Sequence, residues 1–202
     1  MRGFLESRGY LNARIDEPQV QGGGRKAAVA VEEGELYRLG AIEIRGAKVF
    51  TPERLLEKLN LKTGNVADGQ ELRRWVFESL TDLYADEGYL QSDFELEPIF
   101  KRVAEKEGIA DLKVTVNEGR RFTVGKIEFA GNARTSDRML RNVLLIKEDE
   151  PFSRRRFRES IEKLNALGLF KRIDADRDVD FRSDAESPFL NIKIRVKERK
   201  PF

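Results

Sequence analysis

The 202-residue sequence contains no cysteine and no histidine. Without cysteine there can be no disulfide, no thiol nucleophile and no zinc–thiolate site. Without histidine the usual general base at neutral pH and the commonest transition-metal ligand are both missing. A glycine-rich phosphate loop and a convincing pair of catalytic carboxylates are missing too, so no enzyme activity, metal or cofactor is expected. There is no excess of charge of one sign: 38 basic residues stand against 36 acidic ones, a net of +2. Nucleic-acid binding normally brings a strong basic surplus, so that class is set aside. No apolar run approaches the roughly 18 residues that would span a bilayer as a helix. There is no signal peptide, and Met1-Arg-Gly-Phe4 runs straight into a helical pattern. The expectation is a start inside a repeat, with any natural targeting segment removed.

What is present is charge and repetition. Charged residues make up 37% of the chain, and its mean hydropathy of −0.56 is that of a soluble protein. Apolar periodicity predicts one order of elements twice. In the middle of the chain, a strand over Leu39–Arg45 ends at Gly46. A helix begins at Thr51-Pro52, where threonine can cap and proline fits the first turn. Asp68, with Glu71 three residues on, resembles a capping box. It opens a second helix through Leu72, Val76, Leu80 and Leu83 to a stop at Gly88. Strands over Ser92–Phe100 and around Leu112–Val116 follow, with a charged loop over Lys101–Gly108 between them. Pro98 marks the first of the two as an edge strand, because proline cannot donate to a ladder.

The last part of the chain repeats this order. A strand spans Val124–Ala130. Thr135 or Ser136 caps a helix whose apolar side is Met139, Leu140, Val143 and Leu144. Ser153 caps another, with Phe157, Ile161 and Leu164 inward and Gly168 as the stop. Strands follow through Ile173, Ala175, Val179 and Phe181, and through Leu190, Ile192, Ile194 and Val196. The opening residues carry the second half of the same order: a helix end at Gly9, a strand over Leu11–Val20, a turn over Gln21–Gly24, and a strand over Ala27–Val31. Gly34, Gly40 and Gly46 match Gly119, Gly125 and Gly131 at a spacing of 85, while the stops Gly9, Gly88 and Gly168 stand about 80 apart. A positive φ at a turn or a helix stop is the expected reason for each glycine. Such spacing reads as copies of one module.

At these residues the chain resembles a known family. Ile127-Glu-Phe-Ala-Gly-Asn-Ala-Arg-Thr-Ser-Asp137, Leu164-Asn-Ala-Leu-Gly-Leu-Phe170 and Ile194-Arg-Val-Lys-Glu-Arg199 are similar to POTRA domains. They are most similar to the last POTRA domain before the barrel in BamA-like outer-membrane assembly proteins. The resemblance implies an α+β fold of tandem domains, each β-α-α-β-β, with two helices packed on one face of a three-stranded mixed sheet. The domains would be residues 1–36, a partial copy, and 37–119 and 120–202, two complete ones. It further implies a periplasmic place, a transmembrane β-barrel beyond Phe202, and binding of unfolded outer-membrane proteins and accessory lipoproteins. The POTRA region of a two-partner secretion transporter and a division-type periplasmic scaffold are the alternatives. The family usually carries glycine between the two helices. Gly64 matches it, while Asp149 replaces it in the last copy. The acidic residue before that position docks a lipoprotein in the family, which carries over to Glu148, beside Asp149.

Three groups of residues are candidate binding elements. The first is the set of predicted edge strands, Leu11–Gln19, Ser92–Glu97 and Asp174–Phe181, where an extended chain could add to unpaired backbone. Ser92, Phe94, Leu96, Asp174, Asp176 and Val179 stand for the latter two. Alternating Asp174, Asp176, Asp178 and Asp180 have the spacing of a calcium loop, but Val179 stands where glycine is needed and Ala185 where glutamate is. A solvated strand face is the better reading. The third group is Arg154, Arg155, Arg156 and Arg158, in the first turn of a predicted helix. Cations there oppose the helix dipole, so a contact with membrane headgroups or an acidic partner would relieve them. The single tryptophan, Trp75, is expected in the core or packed between domains.

Overall fold

The computed structural model describes residues 2–17, 19–21 and 26–199. They fall into two compact units: Met1–Leu80 with Asp93–Glu118, and Thr81–Ser92 with Gly119–Phe202.

The first unit opens with α1 (Arg2–Glu6) and four short strands, β1 (Arg14–Ile15), β2 (Gln19–Gln21), β3 (Lys26–Ala28) and β4 (Val31–Glu32). Two long strands were expected over this stretch. Instead β1 pairs with β4 and β2 with β3, in two separate antiparallel ladders. Leu11 lies in a turn, not a strand. Gly22–Gly24 of the expected turn lie outside the described residues, and Gln21 belongs to β2.

The complete copies then follow. The first has β5 (Leu36–Arg45), α2 (Pro52–Leu56), α3 (Gly69–Arg74), a π-helical segment (Trp75–Leu80), α4 (Thr81–Asp86), β6 (Asp93–Arg102) and β7 (Glu107–Asn117). The second has β8 (Thr123–Ala130), α5 (Asp137–Val143), α6 (Arg154–Ala166), β9 (Val179–Arg182) and β10 (Phe189–Arg195). The sheets run β5-β7-β6 and β8-β10-β9. In each, the outer strands flank the last one, parallel on one side and antiparallel on the other. Two mixed three-stranded sheets, each with two helices, are therefore present as expected. Alternation in β7 buries Ala110, Leu112, Val114 and Val116 on one face, as a period of two requires.

Caps form where the side chains predict them. Thr51 accepts the N–H of Arg54, Ser136 that of Met139, and Ser153 that of Arg156. Thr135, the other candidate for α5, instead gives its hydroxyl to Glu198 at 3.0 Å. Asp68 accepts the N–H groups of Gln70 and Glu71, but Glu71 turns to Arg74 at 2.7 Å, so only half the box closes.

Three expectations are corrected. The charged loop after β6 is shorter than predicted, because the ladder continues through Lys101↔Ile109 and Arg102↔Gly108. Cross-strand pairing, including Lys101 with Asp111, outweighs the local polarity. Ile173 and Ala175 are not in a strand, and Asp174–Asp178 form a turn. Asp178 gives its N–H to the Asp174 carbonyl at 2.9 Å, and the Asp174 carboxylate accepts the N–H groups of Asp176 and Arg177. Aspartates that bond their own backbone compete with a ladder. Finally, Gly40 and Gly125 do not have positive φ. Each sits in a register shift of its parallel pair, and a Cβ there would collide with the Asp111 or Asn191 side chain. Those side chains accept the N–H of Ala41 and Lys126, at 2.8 Å in both units. Glycine is needed for close approach, and the carboxamide or carboxylate fills the gap that the bulge leaves in the ladder.

The two glycine spacings also find their cause. Twenty residues separate the cap Asp68 from Gly88, but fifteen separate Ser153 from Gly168. The longer helix contains the π segment Trp75–Leu80, whose i→i+5 bonds hold more residues per unit length than an α-helix and absorb part of the insertion.

Candidate functional site

Each sheet has two edge strands, because its central strand is β7 or β10. The β5 and β8 edges are partly paired by the loop before the second helix, through Arg38↔Val66 and Thr123↔Pro151. On the β6 margin, Phe94 faces inward at 5% exposure and Leu96 is half-buried. Ser92 lies just before the strand, and its Oγ is buried with no hydrogen-bond partner among the described residues. This margin is guarded. Pro98 interrupts its donors, and Glu97 pairs with Lys113 at 3.1 Å. Natural edges use both devices against unwanted pairing. The expected strand Leu11–Gln19 forms only as the fragments β1 and β2.

The β9 margin is different. Val179 is buried and Phe181, two residues on, is 43% exposed. Phe181 meets Phe157 with ring centroids 5.0 Å apart and Phe152 at 5.9 Å, both edge to face. These rings line a cleft of about 450 Å³ together with Leu90, Ala175, Arg154, Arg158 and Asp176. Two groups that the sequence suggested separately thus meet at one place, the first-turn arginines of α6 and the turn before β9. Asp174 and Asp176 are not strand residues as expected; they belong to that turn. Phe181 is the last inward position of an edge strand, so half of its ring has no neighbour to cover it. Sequence reasoning placed Phe157 and Phe181 in separate elements and missed Phe152. The aromatic preceding a Ser cap was the available signal.

The Asp174–Asp178 turn is satisfied from within. The Arg177 guanidinium and the Asp174 N–H hold the Asp178 carboxyl down at about 2. Among the described residues no group of three acidic side chains is placed to hold a metal ion.

The arginine cluster is mostly neutralised. Arg154 pairs with Asp82 at 3.0 Å, Arg155 with Glu159 at 3.3 Å, and Arg156 with Glu150 at 3.9 Å. Asp86 accepts the backbone N–H of Arg155 at 2.7 Å. It thereby supplies the negative charge that the first turn of α6 lacks in its own sequence. Arg158 has no ion pair among the described residues, and it is exposed beside the cleft.

Glu148 accepts the N–H of Ile127 and an Arg141 N–H, both at 2.8 Å. These two bonds, the backbone one first, hold its carboxyl below the usual range. Asp149 takes the left-handed conformation, φ 66°, that Gly64 takes at 88° in the other copy. Its N–H reaches the Val124 carbonyl at 2.9 Å, as that of Gly64 reaches Leu39 at 2.8 Å. The loop therefore keeps its shape despite the substitution, and Glu148 stays at its head with 41% of its side chain exposed.

The family model described as "POTRA: Surface antigen variable number repeat" matches residues 37–119 and 122–199. The outer membrane protein assembly factor BamA of Nitratidesulfovibrio vulgaris is 27% identical over 97% of this chain and 24% of its own length. The factor of the same name from Neisseria meningitidis is 27% identical over 86% of this chain and 22% of its own. The chain thus spans about a quarter of the length of these curated relatives. Among solved structures, the crystal structure of Haemophilus influenzae BamA POTRA3-5 superimposes with a TM-score of 0.70. It shares 21% identity over 98% of this chain and 77% of its own, a likeness of fold.

Proposed function

The chain belongs to the POTRA family, and we propose that it is a periplasmic docking module of an outer-membrane protein assembly machine, which receives extended segments of unfolded clients at the β9 margin. The observation that carries this reading is the cleft of about 450 Å³ beside an open strand. Backbone on β9 would offer hydrogen bonds indifferent to client sequence, and the Phe152–Phe157–Phe181 cleft would take one apolar side chain from the added strand. Such a division of labour suits a handler of many clients. A barrel following this chain and accessory lipoproteins belong to the same proposal; Glu148 and Asp149 would be the lipoprotein contact and Arg158 the point nearest to anionic headgroups.

The test is an NMR titration of the chain with extended peptides copied from barrel strands. Shifts gathered on Val179–Arg182 and the three phenylalanines, weakened by Phe181→Ala, are expected. No shifts at millimolar peptide, or shifts confined to β6, would remove the β9 assignment.

A further inference from the structure

The outer face of the second sheet carries the side chains that alternate with the buried Ile127, Val179, Ile192 and Ile194. Two rows cross it. In one, Asn191 lies between Lys126, whose N–H it accepts, and Arg182, its partner on β9. In the next, Lys193 lies between Glu128 and Asp180. Both rows line a cleft of about 270 Å³.

The first unit has the same second row and a different first one. There Lys113 lies between Glu43 and Glu97, so that row belongs to the module. Asp111 stands in the place of Asn191, with Ala41 and Ile99 in the places of Lys126 and Arg182. The bulge is filled by the same 2.8 Å bond in both units, so the fold does not require the two cations. Lys101 neutralises Asp111. Where the first unit has a balanced acid, the second has a neutral amide between two cations.

That leaves positive charge unspent. Glu128 pairs with Lys126 at 2.8 Å, and Asp180 pairs with Arg195. Arg182 and Lys193 have no ion pair among the described residues. Lys126 holds the Glu128 carboxyl below its usual range, and Lys193 and Arg182 add to the effect. Three cations therefore converge on one carboxylate. The Asn191 Oδ1 is taken by the Lys126 N–H, which leaves the amide NH2 as a donor. Strands lie about 4.7–4.9 Å apart, and residues i and i+2 about 6.4–6.8 Å. Arg182, Asn191 and Lys193 can thus reach one oxyanion together.

We propose that this cleft holds a single acidic side chain of a partner protein, at the corner made by Arg182, Asn191 and Lys193. The neighbouring acids decide against a membrane as the occupant. Glu128 and Asp180 flank Lys193, and a continuous anionic surface would be pressed against both. An extended protein segment avoids them by carrying one acid, with a basic or neutral residue two positions on, because that repeat matches the spacing of the rows. A segment with acids at both positions is rejected. The site is separate from client pairing on β9, where the side chains of Val179 and Phe181 lie on the opposite face.

An NMR titration of the chain with a short extended peptide, bearing one glutamate and a lysine two positions away, tests this. Shifts are expected at Lys126, Arg182, Lys193 and the Asn191 side-chain amide. Arg182→Gln removes an exposed charge and leaves the core alone; it should weaken binding about fivefold, as loss of one exposed pair does. Asn191→Asp keeps the bulge bond, as Asp111 does, and should weaken binding at neutral pH through like charge. A peptide with glutamine in place of glutamate, or with a second glutamate in place of lysine, should bind more weakly than the first. Equal binding of the glutamine peptide would overturn the proposal, as would an Arg182→Gln chain that binds as well as the wild type. Shifts confined to the Val179 and Phe181 amides would favour strand addition and leave the cleft without a ligand. Inorganic phosphate, or vesicles containing phosphatidylglycerol, moving these residues more than the peptide does would replace the protein partner with a small anion or a membrane.

Discussion

At the seventh residue after the cap of the second helix, the first unit places Trp75 and the second places Ser160. Both are fully buried, and both tie their helix to the end of the preceding one. The Trp75 indole N–H donates to the Leu55 carbonyl at 3.0 Å. The Ser160 hydroxyl accepts the N–H of Leu145 at 2.8 Å and donates to Arg156 O at 2.7 Å. One polar link is thus kept while the volume carried with it changes severalfold. The helices adjust around it: α2 spans five residues beside the indole, α5 seven beside the hydroxyl. A module can therefore preserve its topology through a hydrogen bond and let each copy settle its own packing.

Substitution at this pair separates the two contributions most sharply. Trp75→Ala should cost about 3–5 kcal/mol, a cavity plus an unpaired Leu55 carbonyl. Ser160→Ala should cost about 1–2 kcal/mol, since the Leu145 N–H loses its partner but little volume is removed. Circular dichroism with urea would show the first unit melting early in one variant and the second moved less in the other. Equal losses would mean that the hydrogen bond, not the volume, dominates at both sites.

The bulge position offers a second contrast. Asp111 fills it in the first unit and Asn191 in the second, with the same bond to backbone. The Lys101 ammonium and then the Ala41 N–H hold the Asp111 carboxyl below 3.8. A depressed folded value means that its stabilising contribution is complete above 3.8, and disappears as pH falls through the folded value. Asparagine does not titrate. Asp111→Asn should hence change stability at neutral pH by less than about 1 kcal/mol, because the Lys101 pair is exposed. It should also flatten part of the acid-side decline followed by Trp75 fluorescence. Asn191→Asp should add such a decline to the second unit. Parallel pH curves for wild type and Asp111→Asn would sink the claim.

The smallest expected effect lies at the interhelical turn. Asp149→Gly should stabilise the second unit by about 0.5 kcal/mol, as relief of the left-handed strain exceeds the entropy that glycine brings to the unfolded chain. Gly64→Asp should destabilise the first by a similar amount. Calorimetry that resolves the two transitions would read both.

Much of this architecture was legible in residues taken singly. Thr51, Ser136 and Ser153 announce their helices because a capping oxygen acts within three residues. Val, Ile and Leu at alternate positions announce β7 and β10 because the pleat has a period of two. The loop over Lys101–Gly108 misled, since Lys101 and Arg102 look solvated until partners on β7 extend the ladder. Asp174–Asp178 misled in the opposite direction, since a period of two can also be a turn that bonds itself. The arginines of α6 read as a surface looking for an external acid. Asp82 and Asp86, some seventy residues earlier in the chain, supply it.

The sequence by itself determined the module, its order, its two complete copies and most of its caps. Each of those depends on neighbours a few residues away, or on a spacing that repeats. Tertiary structure alone decided which margin is guarded and which is open, why Gly40 and Gly125 must lack a side chain, and where Phe152, Phe157 and Phe181 leave a cleft. Those outcomes depend on what lies across the sheet or against the next helix, and distance through space between residues far apart in sequence leaves no local periodicity to read.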